Sequence, residues 1–309
     1  MGGATSKPAF SALPVAAPAA PTSVTAHLAV EGGSRIAYTV LECTSNSSGS
    51  TGWTFVLSPS LGDIKEEYRL LAPRLWQDGK ARVVVADLRG MGESDASFSS
   101  YTVEDTGKDI VKLVLHLGLD PARTVIVGNS MSAASCVYAA AELEGCGGLV
   151  LISAFAWDHS MPFGIETLLA CCLAPSCCIA PGFWTSYYES LYTNQQAAPT
   201  ADLAAHIRAL RLNLQEPGRA RALYSHVFAK KKVCADRIPQ VVSKGVPTLA
   251  LYGERDPDFV PRLAAEVEEM ERRFKGVLKS PPLVIPGAGH YPMVEASEAC
   301  AGAILAAWV

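Results

Sequence analysis

A serine with the surroundings of a catalytic nucleophile lies in the segment Val125–Ala133. A β-branched run ends at Gly128, and a stretch of small residues that opens a helix follows it. A serine at the apex of such a strand–turn–helix turn takes a strained backbone conformation that exposes its hydroxyl, and the turn needs small residues two positions before and after. Gly128 and Ser132 fill those positions. The pattern predicts that Ser130 is a nucleophile, and the alternative is a serine that caps an ordinary helix.

A serine nucleophile needs a histidine as its base, and the chain has six histidines. His290 follows a strand-like run, in a loop where Gly287 and Gly289 let the backbone turn tightly. His159 lies at the start of a long segment without clear strands, could line a pocket and remains an alternative. The other four lie in strand-like or helix-like stretches and are predicted to be packing or surface residues: His27, His116, His206 and His226.

The predicted acid of the triad lies between the serine and the histidine, in the chain order Ser, acid, His. Asp256 comes just after the apolar strand-like run Leu249–Tyr252 and is the preferred residue. Asp258 is the competitor, and its other interpretation is a helix cap or a solvated charge before a helix that starts near Pro261. A carboxylate in this turn would hold the tautomer of the imidazole and stabilise the cation that forms.

Two backbone N–H groups are expected to stabilise the oxyanion. One should come from Met131, directly after the nucleophile. The other should come from the loop after the third strand-like run, where Pro59 has no N–H to donate. Ser60 or Leu61 must then be the donor, and Ser60 is preferred.

Strand-like and helix-like stretches alternate along most of the chain, after two opening runs that are typical of a hairpin. Strands that alternate with helices pair in parallel through crossover helices, which predicts an α/β protein with a mostly parallel central sheet flanked by helices. Residues 153–240 lack a clear strand and are predicted to form a helical cap insertion that lines an apolar pocket. The expected division is a flexible, proline-rich tail at 1–23, a core at 24–152 and 241–309, and the cap.

With these parts assembled, the sequence resembles the α/β-hydrolase superfamily over about residues 24–309. The resemblance extends to Asp87–Asp95, which looks like the family's Asp-x-Arg-Gly-x-Gly-x-Ser loop, and to Gly287–His290, which looks like its histidine loop. The chain departs from the family at Ser58-Pro59, where many members carry His-Gly. We expect the Asp87–Asp95 loop to be structural.

The assembled parts predict a serine hydrolase that acts on an ester or a related acyl compound, with no cofactor and no metal. A serine at the elbow argues against the related branches that use an aspartate nucleophile. Acyl transfer or carbon–carbon bond hydrolysis would use the same triad. The alternative from another class is a ligand receptor or scaffold on the same fold, with little or no turnover.

Composition excludes several other classes of protein. The chain has 309 residues with 26 basic and 30 acidic side chains, so it has no basic excess for nucleic acid. No stretch of 18 residues is apolar and unbroken enough to span a bilayer. The nine cysteines do not form a small disulfide scaffold, and the pairs Cys171-Cys172 and Cys177-Cys178 do not match the usual spacing of a zinc site.

The N-terminal residues match the pattern for N-myristoylation, with Gly2 after the initiator methionine and Ser6 four residues further on. A small-residue tail without function is the equally simple interpretation. One acyl chain binds a membrane only weakly and reversibly, and Lys7 is the tail's one basic residue. We therefore expect a cytoplasmic protein with a minor fraction at the membrane surface through Gly2.

Overall fold

The computed structural model describes residues 24–42, 50–159, 164–174, 179–193 and 200–309. The expected tail at 1–23, including Gly2, lies outside the described residues, as do Cys177 and Cys178. Cys171 is exposed and Cys172 is partly exposed, and both are free thiols.

Eight strands form one sheet in the spatial order β1-β2-β4-β3-β5-β6-β7-β8. Strand β2 pairs antiparallel with both β1 and β4, and all the other neighbours pair in parallel. The strands are β1 Thr25–Glu31, β2 Ser34–Leu41, β3 Thr54–Ser58, β4 Arg82–Ala86, β5 Thr124–Asn129, β6 Gly148–Ile152, β7 Thr248–Gly253 and β8 Leu283–Ile285. The prediction of an α/β fold with a mostly parallel sheet is confirmed.

Alternate residues of the central strands belong to two separate hydrophobic clusters. Val125 and Val127 pack in one cluster, and Ile126 packs in the other. Because side chains of a strand point alternately to opposite faces, these clusters are the two layers that the flanking helices cover. Both faces of β5 are buried, which explains its continuous apolar run.

Twelve α-helices accompany the strands in the described part of the chain. They are α1 Leu71–Gln77, α2 Val103–His116, α3 Ser132–Glu142, α4 Ile165–Leu173, α5 Ala180–Ser190, α6 Thr200–Leu214, α7 Arg219–Val227, α8 Lys232–Ala235, α9 Ile238–Ser243, α10 Leu263–Arg273, α11 Pro292–Glu295 and α12 Ser297–Trp308. Helix α2 starts at a capping box, in which Thr102 and Asp105 satisfy each other's backbone N–H groups.

The sequence pattern predicts one helix over Ile64–Gln77, and this prediction is wrong. The structure has a 3₁₀ turn at Lys65–Tyr68 and then the separate helix α1. Pro73 is the physical reason, because its ring lacks an N–H and would clash with the carbonyl four residues earlier in a continuous helix. Pro73 is tolerated where it is because it lies in the first turn of α1.

Six helices, α4 to α9, connect β6 to β7 in the described residues of that segment. This connection contains the region predicted as a cap, and the exact division of the chain at 153 and 240 stays a prediction. No helix among the described residues has the combined length and apolar character needed to cross a bilayer.

Candidate active site

Ser130 occupies a sharp turn between β5 and α3. Its φ angle of 54° lies in the left-handed region, which costs energy for a residue with a side chain. Two backbone hydrogen bonds hold the turn against the end of β6, because the Ser130 N–H donates to the Ile152 carbonyl at 2.9 Å and its carbonyl accepts from Phe155 at 3.0 Å. The turn therefore has the strained geometry that the sequence pattern predicts.

The small residues on either side of Ser130 have separate functions. A Cβ at Gly128 would lie 2.5 Å from the Cys136 sulfur and 2.9 Å from the Ser132 carbonyl oxygen, so only glycine fits there. At the other flank, the Ser132 hydroxyl donates a hydrogen bond to the Pro59 carbonyl. The departure from the usual glycine at position 132 thus joins the nucleophile turn to the loop after β3.

His290 and Asp256 are in direct contact. The His290 Nδ1 and the Asp256 Oδ2 lie 2.8 Å apart, and both side chains are almost fully buried. The second oxygen of Asp256 accepts the Asp258 N–H at 3.0 Å, which fixes the carboxylate. Asp258 lies farther away, at 3.8 Å from the same Nδ1, and both of its oxygens accept from the Tyr187 hydroxyl at 2.9 and 3.0 Å.

The same three side chains are the group of potential metal ligands found among the described residues, with donor atoms within 4.8 Å of one another. The 2.8 Å contact between His290 and Asp256 is a hydrogen bond. Metal–ligand bonds of about 2.0–2.2 Å to both atoms would need a wider separation than this. The geometry fits a proton between the two groups better than a metal ion.

The pH dependence of catalysis should follow His290. Burial opposes its protonation, but the charge of Asp256 and the hydrogen bond to it outweigh burial and raise the pKa of His290 above its ordinary value of 6.5. Only neutral imidazole can accept a proton from serine, so activity is lost as the pH falls through this raised pKa. For a neutral ester, we expect the acid limb of kcat/KM to have its midpoint above pH 6.5. A midpoint at or below 6.5 would contradict the assignment of His290 as the base.

In the loop after β3, the backbone N–H group of Leu61 is free among the described residues, and that of Ser60, the predicted donor, is not. The Ser60 N–H donates to the Glu67 Oε2 at 2.6 Å and is therefore already bonded. Within the described residues, the N–H groups of Leu61 and Met131 have no hydrogen-bond partner, and both residues line the same cavity as Ser130 and His290. This geometry favours Leu61 over Ser60 as the candidate for the second oxyanion donor, and the assignment stays a prediction.

A buried polar network stands behind this loop. Glu67 and Asp63 are fully buried, and each has one carboxylate oxygen without a hydrogen-bond donor. Burial and the neighbouring Asp63 hold the pKa of Glu67 well above its usual range. Although burial acts in the opposite direction, His206 lowers the pKa of Asp63, whose Oδ1 lies 2.9 Å from the His206 Nε2. The pKa values of the two carboxyl groups are thus shifted in opposite directions, and α6 is joined to the loop through His206.

Removing the carboxyl group of Glu67 should impair catalysis through the loop. In Glu67→Leu the Ser60 N–H loses its acceptor, so the loop should relax and move the Leu61 N–H. Because loss of one oxyanion donor costs about 10²–10³ in kcat, we expect a displaced donor to cost about 10-fold or more, with KM little changed. Glu67→Gln is the matched control, since its amide oxygen can still accept from Ser60, and it should keep most of the activity. Equal losses in the two variants would contradict this function of Glu67.

A cavity of about 450 Å³ opens over the serine and the histidine. Its walls are mostly aromatic and aliphatic side chains from the core and from α4 and α5, among them Phe155, Leu168, Leu169, Phe183 and Trp184. His159, the alternative base, also lines this cavity, but its Nε2 lies 3.0 Å from a Glu266 carboxylate oxygen. The volume suits a small molecule with an apolar portion.

The histidine loop is held by the segment that follows α5. The His290 N–H donates to the Leu191 carbonyl at 3.1 Å. Glu295 accepts from the Gly289 N–H at 2.9 Å with one oxygen and from the Thr193 N–H at 3.1 Å with the other. A Cβ at Gly289 would lie 2.4 Å from the Leu191 carbonyl oxygen, so this approach requires glycine. The helical connection and the histidine loop are thus joined by backbone contacts.

The Asp87–Asp95 loop lies beside the site and does not line the cavity. Asp87 is buried and accepts N–H groups from Lys65 at 2.7 Å and from Glu93 at 3.0 Å. Burial raises the pKa of Asp87 to about 6, against the lowering effect of the Lys65 ammonium. These contacts are consistent with the expected structural function of the loop.

A family model described as the alpha/beta hydrolase family matches residues 46–303 of this sequence. The chain belongs to the alpha/beta hydrolase family. The resemblance inferred from the elbow, the Asp87–Asp95 loop and the histidine loop is therefore confirmed. A comparison with curated protein sequences finds no match.

Many solved structures share the fold of this alpha/beta hydrolase. A thermophilic esterase from Thermogutta terrifontis has 24% sequence identity and a TM-score of 0.71, with 92% of this chain and 97% of that chain covered. An enol-lactonase from Burkholderia xenovorans LB400 has 20% identity and a TM-score of 0.69, covering 91% and 99%. A bromoperoxidase from Bacillus anthracis has 14% identity and a TM-score of 0.72, covering 93% and 99%. At these identities the likeness concerns the fold alone.

Proposed function

We propose that this alpha/beta hydrolase is a serine hydrolase that cleaves an ester or a related acyl compound. The observation that carries the proposal is the shared cavity of Ser130 and His290, with the other ring nitrogen of His290 bonded to the buried Asp256. A serine, a base and an orienting acid in this arrangement are the parts of an acyl-transfer site.

The hydrogen bond to Asp256 selects the useful tautomer of His290. Nδ1 keeps its proton and donates a hydrogen bond to the carboxylate, so Nε2 is left unprotonated as the base. Nε2 takes the proton of the Ser130 hydroxyl as the oxygen attacks the acyl carbonyl, and the imidazolium then protonates the leaving group. Water attacks the resulting acyl-enzyme in the same way, and releases the acid and free Ser130.

The N–H groups of Leu61 and Met131 are the proposed donors to the oxyanion. Both are unbonded within the described residues, and both belong to the cavity wall. Donors fixed in place before the reaction stabilise charge that develops in the transition state without reorganisation. The bond between Ser132 and Pro59 supports this arrangement, because it holds the two donor segments together.

The apolar walls support an acyl substrate of modest size rather than a polymer. An esterase and an enol-lactonase are among the proteins of the same fold, and both names refer to ester chemistry. Their low identity leaves the substrate of this chain to experiment.

A ligand receptor or scaffold on the same fold is the alternative function. A fluorophosphonate probe distinguishes the two, because it reacts covalently only with an activated serine. We expect the wild-type protein to be labelled and to cleave members of a series of p-nitrophenyl esters with graded acyl length. Absence of both labelling and cleavage would favour the receptor.

A further inference from the structure

Among the described residues, the ammonium of Lys231 in the cavity wall has one long ion pair, to Asp158, and no hydrogen-bond partner. Lys231 lies between α7 and α8, and its side chain is only 13% exposed. Its nearest carboxylate oxygen, on Asp158, is 3.8 Å from Nζ, which is beyond hydrogen-bond distance. Within the described residues, the ammonium makes no hydrogen bond, although it has three protons to donate.

The surroundings of Lys231 compensate its charge poorly. Asp158 is 43% exposed, and its Oδ1 already accepts the backbone N–H of Lys231 at 3.0 Å. Burial lowers the pKa of Lys231, and the attraction of Asp158 does not cancel this effect. Buried charges in proteins are normally paired and hydrogen-bonded, so an ammonium in a cavity wall that makes no hydrogen bond fits a ligand that supplies an acceptor.

Apart from the histidines, three charged side chains line the cavity among the described residues, and two of them are cations. Among the described lining residues, Asp258 carries the one carboxylate, and that group is bonded to the Tyr187 hydroxyl through both oxygens. Arg262 also lines the cavity, is exposed, and donates from Nη2 to the Asp258 carbonyl at 3.0 Å. Asp158 lies outside the lining and only at 3.8 Å from Nζ, so the Lys231 ammonium can still donate to an anionic ligand in this cavity with apolar walls.

We propose that Lys231 binds a carboxylate on the acyl substrate, so that the preferred substrates are esters or lactones that carry a free carboxylate. This inference rests on the proposed function of the same cavity. The acyl carbonyl lies at Ser130, the apolar walls contact the chain, and the carboxylate accepts hydrogen bonds from the Lys231 ammonium. A single ammonium suits a monoanion, in contrast to a phosphate, which usually recruits several backbone N–H groups.

The test compares two esters that differ in one charge. The half-ester p-nitrophenyl hydrogen adipate carries the carboxylate, and p-nitrophenyl methyl adipate has the same acyl chain without it. We expect wild-type protein to have the higher kcat/KM with the half-ester. Lys231→Met should lower that value by about 10- to 100-fold, mainly through KM, because it removes a hydrogen bond to a charged group. The rate with the methyl ester should change by less than about threefold, and Lys231→Arg should restore part of the preference.

The adjacent lysine is the matched control. Lys232 is 75% exposed and pairs with Asp236, so Lys232→Met should leave both esters unaffected. If Lys231→Met slowed both esters equally, Lys231 would be structural and the inference would be overturned. Cleavage of the methyl ester without any preference for the half-ester would overturn this inference and leave the proposed function intact.

Binding without turnover separates the inference from the proposed function. Calorimetry on Ser130→Ala with monomethyl adipate should show binding that the additional change Lys231→Met weakens by about 10-fold or more. No binding by Ser130→Ala, or equal binding in both proteins, would overturn the carboxylate site. Failure of the proposed function would show as no cleavage of either ester and no labelling by the fluorophosphonate probe.

Discussion

Replacing Ser130 with alanine should abolish hydrolysis and leave the fold intact. The change removes the oxygen that forms the acyl-enzyme, and loss of the nucleophile of a triad lowers kcat by about 10⁴-fold or more. The hydroxyl of Ser130 makes no hydrogen bond within the described residues, so the free energy of unfolding should change by less than about 1 kcal/mol. Steady-state kinetics with p-nitrophenyl esters and thermal unfolding measure the two effects.

Ser135, in the helix that follows Ser130, provides the control. Ser135 is buried in α3, does not line the cavity, and donates to the Val103 carbonyl at 2.8 Å. Ser135→Ala should lower the free energy of unfolding by about 1 kcal/mol, because a hydrogen bond is lost. The variant protein should still react with the fluorophosphonate probe. A residual rate above about a tenth of wild type in Ser130→Ala would contradict the assignment of the nucleophile.

Asp256→Asn should lower kcat by about 10⁴-fold, the size of this effect in a serine-protease triad. The amide can donate a hydrogen bond to the His290 Nδ1, which stabilises the tautomer with the proton on the wrong nitrogen. Side-chain volume is almost unchanged, so a loss of activity would come from the changed tautomer of His290 and not from altered packing. Circular dichroism and thermal unfolding should show a folded protein.

Asp258→Asn is the matched variant, because this residue lies in the same turn and carries the same group. Its carboxylate is 3.8 Å from Nδ1 and bonds to Tyr187, so its loss should reduce kcat by less than about 10-fold. A larger loss in Asp258→Asn than in Asp256→Asn would assign the acid to Asp258.

The sequence predicts those parts of the candidate site whose geometry depends on residues close by in the chain. The turn at Ser130 needs small residues two positions away, and the loop of His290 needs two glycines beside it, so both are visible as short patterns. The alternation of strands and helices likewise predicts the sheet that brings these segments together. Each of these signals is local in the chain.

Three-dimensional contacts decide two choices that the sequence pattern leaves open, the acid of the site and the second N–H donor. Asp256 and Asp258 are equivalent as residue types, and a difference of 1.0 Å in their distances to Nδ1, from 2.8 to 3.8 Å, distinguishes them. The geometry favours Leu61 over the predicted Ser60 because Glu67, a polar residue in a stretch predicted as helix, is buried and accepts the Ser60 N–H. A buried carboxyl group has no signature in its own local pattern.

Lys231 was likewise not singled out by the sequence, because a lysine in a helical segment is usually solvated. Its position in the cavity wall depends on the fold of the connection between β6 and β7.

We expect the contact between the His290 N–H and the Leu191 carbonyl to restrict the ways in which a substrate could enter. If α5 moved away as a rigid body, we expect it to pull on the backbone of His290, the proposed base, and to disturb its hydrogen bond to Asp256. The protein could then not be open in this way and active at the same moment. Exchange of substrate and product is then expected to use side-chain rotations at the mouth of the cavity, where Leu168 is exposed, on a timescale much faster than domain movement.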